Sequence, residues 1–318
     1  MIQLYVLICS AKDDLISVFS RALLLKPRIV SGGIMSKWSE GTINANGIQI
    51  HYYRTGGDNT QIVMNHGAGD DGLCWTHVVK QLERDYDVIL PDARGHGKSS
   101  SGKGNYSTKE RVADLKGLIE ALNLDRPIIG GHSMGADTSL NFAAEYPEMI
   151  RGVFLEDPPI ILPGEKLGGD GEEMGDLEDI APMMVKFFRT FKYMPRFIGI
   201  RMAKKAMPSY PDDEIYPWLN SKKRVNTDFI KGGMAEMGLY PTSPFEAIGR
   251  IQAPILLFIG DKEKMSLMSV EAAQKAAEAN SRLDIAHLEG ASHDIRRTRF
   301  DGYMPALRSF VDRIYAAN

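Results

Sequence analysis

A serine at a small-residue turn, Ser133 in the stretch GGHSMGA, is the side chain best suited to nucleophilic chemistry. The apolar run PIIGG precedes it and a helical pattern follows it, which places the serine at a strand-to-helix turn. Gly131 and Gly135 complete the pattern G-x-S-x-G, in which glycines allow close backbone packing on both sides of an exposed hydroxyl. The motif therefore predicts that Ser133 is a nucleophile.

A serine hydroxyl needs a nearby base, because it is a weak nucleophile at neutral pH. Of the seven histidines, His293 in GASHDI is best placed, since it follows the last predicted strand. The negative charge that develops on an attacked carbonyl also needs donors, and backbone amides suit this because they are preorganised. We expect these donors to be the amides of Met134, which begins the helix after the serine, and Ala68, in the loop HGAG.

Other polar residues near these motifs have structural interpretations. The loop HGAG lacks the Lys-Ser/Thr ending of a P-loop, so we do not expect it to bind phosphate. Arg296 and Arg297 follow the candidate base, and a structural ion pair is a commoner role for them than binding an acidic group of a substrate. Asp92 and Arg94 are expected to brace the loop beside HGAG.

Strand and helix patterns alternate from residue 40 onward, which predicts an α/β fold with a mainly parallel sheet and helices on both faces. Asn46-Gly47 lies between two alternating runs and predicts a β-hairpin at the start of this region. The strand patterns are 61–67, 87–95, 127–133, 152–159, 254–261 and 283–290. The helical patterns are 73–84, 109–123, 134–146, 269–280 and 300–316.

One segment interrupts this alternation. Residues 160–247 show no strand pattern and hold eight of the 16 methionines, so we interpret them as a helical cap inserted into a core of 35–159 and 248–318. Most of its methionine and aromatic side chains would form the cap's own core, and a minority would line an apolar pocket. Residues 1–34 are interpreted as an N-terminal extension, and its apolar run is too short to span a bilayer.

Composition excludes several classes of function. The net charge of −3 and the pI near 6.2 provide no basic field, so nucleic acid is not an expected partner. The two cysteines, Cys9 and Cys74, form neither a disulfide framework nor a zinc motif, which fits a cytoplasmic protein without a metal. We expect no integral membrane span, a small-molecule ester substrate and, as one option, a homodimer.

The motifs NHGAGDD, PDARGHGKSS, GGHSMGA and GASHD, in this order, resemble the α/β-hydrolase fold family over about residues 40–316. HGAG followed by GHSMG is similar to the lidded branch that contains monoacylglycerol lipases and bacterial carboxylesterases. The resemblance implies Ser133 as nucleophile, His293 as base, Ala68 and Met134 as oxyanion donors, and no cofactor. Epoxide hydrolases and dehalogenases of this family use an aspartate nucleophile, and the serine at position 133 disfavours both activities.

The resemblance leaves the acid that orients the base open. Most members of the family take it from a turn after the strand that follows the lid, where this chain has GDKE at 260–263. Another branch takes it from the end of an earlier strand, where Asp157 follows GVFLE. Two prolines come next, and they favour an extended Asp157 that aims at the histidine loop. We expect Asp157 to be the acid, and the alternatives are Glu263, Asp261 and Glu156.

These expectations combine into one predicted function. The chain would be a serine hydrolase that cleaves a carboxylic ester with an apolar acyl or alcohol part through an acyl-enzyme. A lactonase or a C–C bond hydrolase would use the same residues and differ only in the polarity of the pocket. A ligand receptor of the same fold, without catalysis, is the alternative from a different class.

Overall fold

The computed structural model describes residues 38–57, 60–169, 172–175, 177–233 and 242–316 of the 318-residue chain. The expected N-terminal extension 1–34, with Cys9, lies outside the described residues.

An eight-stranded sheet with the strand order β1-β2-β4-β3-β5-β6-β9-β10 forms the centre of the fold. β1 and β2 are an antiparallel hairpin, β2 is antiparallel to β4, and the other neighbours are parallel. The hairpin prediction is confirmed, since Asn46 and Gly47 take positive φ angles of 46° and 73° between the two strands. The strands of this sheet are β1 Ser39–Ala45, β2 Ile48–Arg54, β3 Gln61–Asn65, β4 Asp87–Pro91, β5 Ile128–His132, β6 Gly152–Glu156, β9 Ile255–Ile259 and β10 Leu283–His287.

Helices connect the strands. They are α1 Thr76–Val79, α2 Thr108–Ala121, α3 Met134–Glu145, α4 Leu177–Tyr193, α5 Arg196–Ala206, α6 Asp212–Arg224, α7 Pro244–Arg250, α8 Val270–Ala279, α9 Ile295–Thr298 and α10 Phe300–Ala316. Short 3₁₀ turns lie at Gly72–Trp75, Gly102–Gly104 and Pro147–Met149, and a π-helical turn lies at Phe229–Gly233. The predicted helix 73–84 is shorter than expected, because bonds such as Gln81 N to Val78 O tighten the chain into turns after α1.

Both faces of the central strands β4, β5, β6 and β9 are buried, as their largely apolar sequences predict. In β3, Val63 packs into a core with α2, α3, α7 and α8, whereas its neighbours Ile62 and Met64 pack into a second core with α1 and α10. Successive residues of a strand point to opposite faces, so a strand covered on both sides must be apolar at nearly every position.

The segment between β6 and β9, called the cap segment below (residues 160–247), is mainly helical. It contains α4, α5 and α6, and its aromatic side chains form a third apolar cluster that includes Phe187, Phe188 and Trp218. It also contains a small antiparallel hairpin, β7 Leu167–Gly169 and β8 Glu172–Gly175, which corrects the expectation of no strand here. These strands are three and four residues long and have no alternating apolar pattern that the sequence could display.

None of the described helices is both long and apolar enough to cross a bilayer.

Candidate active site

Ser133 occupies a strained turn between β5 and α3. Its backbone has φ 52° and ψ −116°, a conformation that a residue with a side chain adopts at a cost. The surrounding structure holds it, because Ser133 N donates to Glu156 O at 2.9 Å and Asp137 N donates to Ser133 O at 2.9 Å. The strand-to-helix position predicted for this serine is confirmed.

The glycines of the motif allow this turn to pack against the end of β3. A Cβ on Gly131 would lie 2.4 Å from the carbonyl carbon of Gly135, and a Cβ on Gly135 would lie 2.2 Å from Asn65 O. A Cβ on Gly67 would lie 3.4 Å from Ser133 Cβ. The loop HGAG and the serine are therefore direct neighbours.

His293 and Asp157 form a hydrogen-bonded pair beside this turn. His293 Nδ1 lies 2.7 Å from Asp157 Oδ2, so Nδ1 carries the shared proton and Nε2 is left for other chemistry. The ring of His132, next to Ser133 in sequence, lies 4.5 Å from the His293 ring between centroids. His132 Nε2 also lies 2.9 Å from His293 O, which fixes the backbone of the histidine loop against the serine turn.

Opposing effects act on the pKa of His293. Burial alone would lower the pKa, but the hydrogen bond and charge of Asp157, with smaller contributions from Asp294 and Glu156, outweigh burial and raise the pKa above the ordinary value of 6.5. The imidazolium form is therefore stabilised, as a group that accepts a proton during a reaction requires.

The carboxylate of Asp157 is fully buried and held from several sides. Ser266 Oγ donates to Oδ1 at 2.8 Å, Leu267 N to Oδ2 at 2.8 Å, and Met268 N to Oδ1 at 3.0 Å. These donors come from the loop after β9, which the sequence shows to be long but does not connect with Asp157. They satisfy the carboxylate oxygens and fix their direction.

The backbone of Asp157 differs from the expected extended form. Its φ is +45°, in the left-handed region, although a proline follows. Aspartate tolerates this region better than most residues, and the tertiary contacts outweigh the local preference. Asp157 N donates to Phe258 O at 3.0 Å, while the carboxylate turns into the loop at 266–268.

The other acids suggested by the sequence have different partners. Asp261 Oδ1 lies 2.8 Å from His287 Nε2, and Asp261 Oδ2 accepts a hydrogen bond from Gly290 N at 2.7 Å. Glu263 is exposed. Glu156 accepts from Arg296 N at 2.9 Å and from its guanidinium at 3.1 Å. Of the four candidate acids, the structure pairs Asp157 with His293.

One candidate oxyanion donor follows Ser133 directly in the chain, and the other lies in the loop that contacts the serine turn. Met134 is the first residue of α3, so its amide precedes the intrahelical hydrogen bonds. Ala68 lies in the loop HGAG, which two buried histidines hold: His66 Nε2 accepts from Ala93 N at 2.9 Å, and His96 Nε2 accepts from Gly69 N at 3.0 Å. Burial lowers the pKa of both rings, that of His96 to about 3, so both remain neutral acceptors. Both histidines therefore help to hold the loop.

Arg296 and Arg297 are buried and form ion pairs, which confirms the structural interpretation. Arg296 pairs with Glu156, and its guanidinium lies 4.2 Å from the centre of the Trp75 ring. Arg297 contacts Glu214 at 2.6 Å, Asp294 at 2.7 Å and Asp70 at 3.2 Å. Among the braces expected near HGAG, Asp92 accepts from Gly72 N at 2.8 Å, and Arg94 pairs with Asp114 at 2.7 Å.

Asp70, His132 and Asp294 offer three donor atoms within 4.8 Å of one another, which is close enough to consider a metal ion. The carboxylates already face cations of the protein, however, since Arg297 contacts both and Lys222 contacts Asp70. Their negative charge is thus compensated, and the group does not fit a metal site.

Comparisons with known proteins agree with this architecture. A family model described as alpha/beta hydrolase fold matches residues 60–193. N-formylmaleamate deformylase of Pseudomonas putida is 35% identical over 127 residues, which cover 40% of this chain and 47% of that protein. The matched region thus spans about half of this relative. The 2-(acetamidomethylene)succinate hydrolase of Mesorhizobium japonicum is 24% identical over 272 residues, or 81% of this chain and 90% of that protein.

A solved structure supports the fold independently. An esterase from Exiguobacterium antarcticum superimposes with a TM-score of 0.68 at 18% identity, covering 85% of this chain and 98% of the other. Since the family model and the architecture of the sheet agree, the chain has the α/β-hydrolase fold.

Proposed function

We propose that this chain is a serine hydrolase that cleaves a carboxylic ester with an apolar acyl or alcohol part. The observation that carries the proposal is the 2.7 Å bond from His293 Nδ1 to the buried Asp157, located beside the strained turn of Ser133. A base oriented by a carboxylate next to a serine on such a turn is the arrangement that activates a hydroxyl.

Each residue has one role in the proposed reaction. His293 Nε2 takes the proton of Ser133 as the hydroxyl attacks the ester carbonyl, and Asp157 stabilises the resulting imidazolium. The amides of Ala68 and Met134 donate to the oxyanion of the tetrahedral intermediate. The imidazolium then protonates the leaving alcohol. In deacylation, water attacks the acyl-enzyme while His293 takes its proton, and the imidazolium returns a proton to Ser133 Oγ as the carboxylic acid leaves. The proposed mechanism requires no cofactor or metal.

The surroundings of the oxyanion donors favour an apolar substrate. Met134 and Ala68 belong to the same apolar cluster as the aromatic residues of the cap segment. Phe188 lies directly over the loop, since a Cβ on Gly69 would lie 2.1 Å from its ring. Nearby cations such as Arg297 are already paired within the protein, so they do not offer a site for an anionic substrate group. We infer that the cap segment is a lid-like domain that covers the core formed by 35–159 and 248–318.

Other bond types are the second candidate. Two of the relatives are a deformylase and a 2-(acetamidomethylene)succinate hydrolase, so amides are tested beside the lactone and C–C substrates that the same residues would serve. We place the activity in the cytoplasm, because the two cysteines of the sequence provide no disulfide framework of the kind that secreted domains use.

A substrate panel tests the proposal. Wild type, Ser133→Ala and the control Ser281→Ala, at an exposed serine, are assayed on p-nitrophenyl esters, lactones, vinylogous diketones and formamides. We expect esters to be the best substrates, Ser133→Ala to fall to background hydrolysis and the control to match wild type. Ester turnover that survives Ser133→Ala would contradict the nucleophile, and a preference for another substrate class would replace the ester.

A further inference from the structure

A buried lysine of the cap segment reaches the loop that carries Ala68. Lys222, in α6, has a side chain that is 1% exposed, and its Nζ donates to Gly69 O at 2.9 Å. The same ammonium donates to the carboxylate of Asp70 and to Ser221 Oγ at 3.3 Å. It lies 4.9 Å from the centre of the Trp218 ring, so its surroundings are otherwise largely apolar.

Burying an ammonium is costly, and aromatic surroundings such as these would accept a neutral side chain at lower cost. What the lysine adds is a set of directed hydrogen bonds to two successive residues of the loop. Burial alone would raise the pKa of the Asp70 carboxyl, but Lys222 and Arg297 together hold it well below its usual range. The carboxylate is therefore ionised and fixed by cations on two sides.

Three hydrogen bonds hold the short turn of residues 67–70, which contains Ala68. Gly69 N donates to His96, Asp70 N donates to Gly67 O at 3.1 Å, and Gly69 O accepts from Lys222. The Ala68 amide lies within this short turn. Among these three bonds, the one from Lys222 is supplied by the cap segment.

We propose that Lys222 is a positioning residue of the oxyanion hole, so that the cap segment helps to build the catalytic centre in addition to covering it. The inference rests on the proposed function, because it requires the Ala68 amide to bind the oxyanion. Lys222 acts through Gly69 and Asp70 and does not itself touch the substrate.

The test compares Lys222→Met with Lys204→Met. Methionine keeps the length of the side chain without the donor, and Lys204 is an exposed cap lysine whose partner is Asp212, so the control removes the same charge. We expect kcat for p-nitrophenyl acetate to fall about 10- to 100-fold in Lys222→Met, because a small misplacement of a catalytic group has effects of this size. KM should change less than about twofold, since the donors act on the transition state.

A transition-state analogue gives a readout that a merely structural role would not change. A trifluoromethyl ketone forms a hemiketal oxyanion with the serine, so its inhibition constant should rise in Lys222→Met by the same factor as kcat/KM falls. Wild-type inhibition by the ketone in Lys222→Met would overturn the inference. Activity that survives Ser133→Ala would contradict the proposed function itself. Activity that is lost in Ser133→Ala but unchanged in Lys222→Met would contradict only the inference about Lys222.

A double variant separates positioning from charge compensation. Lys222→Met leaves Asp70 with less compensation, and this destabilises a buried carboxylate. In Lys222→Met/Asp70→Asn both charges are gone, so the melting temperature should recover while kcat stays low, because Gly69 O still lacks its donor. Recovery of kcat together with the melting temperature would assign Lys222 to stability alone.

Discussion

His293 Nδ1 and Asp157 Oδ2 lie 2.7 Å apart although 136 residues separate the two positions in sequence. Asp157 follows β6, and His293 follows β10, so both leave the sheet at the carboxyl ends of parallel strands. That edge is where groups from distant parts of a doubly wound chain meet. The pair gives the strongest basis for predicting how variants of this protein behave.

The first prediction concerns the acid. Asp157→Asn should lower kcat by roughly 10³- to 10⁴-fold, because an asparagine cannot fix the tautomer of His293 or stabilise its imidazolium. Steady-state kinetics on an ester measures the loss, and thermal unfolding followed by circular dichroism should still show a cooperative transition.

The matched control is Glu263→Gln. This glutamate is exposed, so its loss should lower kcat by about tenfold at most, as expected for a surface charge. A larger loss in Glu263→Gln than in Asp157→Asn would move the acid to the loop after β9 and leave Asp157 a structural residue.

The second prediction concerns pH. The proposed base works only when it is neutral, and Asp157 raises the pKa of His293 above 6.5 against the opposing effect of burial. The value of kcat/KM should therefore rise with pH, with a midpoint above 6.5. Burial lowers the pKa of His132 and of His96, so neither ring should add a second acid limb.

A pH–rate profile between about pH 5 and pH 9 measures this midpoint. Asp157→Asn removes the carboxylate that raises the pKa, so the midpoint of its residual activity should move down. An unchanged midpoint in that variant would show that another group controls the acid limb.

Sequence patterns could predict the sheet and the position of Ser133, because both depend on local signals. Buried parallel strands must be apolar, and a crowded strand-to-helix turn needs glycines such as Gly131 and Gly135. The φ of Asp157 could not be predicted, because contacts with residues 266–268 override the preference that the following proline sets. The contact of Lys222 with Gly69 joins positions 153 residues apart, and no local pattern records it.

The third prediction tests the packing of the serine turn. A Cβ at position 135 would lie 2.2 Å from Asn65 O, and the backbone must move to accommodate it. Gly135→Ala should therefore lower the free energy of unfolding by about 1–3 kcal/mol and should also reduce kcat, since the shift displaces Ser133. Chemical denaturation and ester kinetics measure the two effects.

Gly232→Ala is the control for that variant. A Cβ at this exposed position has no neighbour within 4 Å, so the substitution should leave activity unchanged and raise stability, if anything, by up to about 1 kcal/mol. Equal effects of the two alanines would mean that the turn tolerates an added carbon, contrary to the close contact with Asn65.

The last prediction concerns the choice of substrate by the cap segment. Met184 is half-buried and packs on the apolar cluster that also includes Met134 and Ala68, so it is a candidate for the pocket wall. Met184→Gln should lower kcat/KM for an octanoate ester about tenfold and that for an acetate ester far less, because remote apolar contacts act on the longer chain. Phe197→Gln, at a side chain that is 59% exposed on the same segment, should leave the ratio of the two substrates unchanged. Equal losses on both esters in Met184→Gln would indicate damage to folding, and an unchanged ratio would place the acyl chain away from this part of the cap segment.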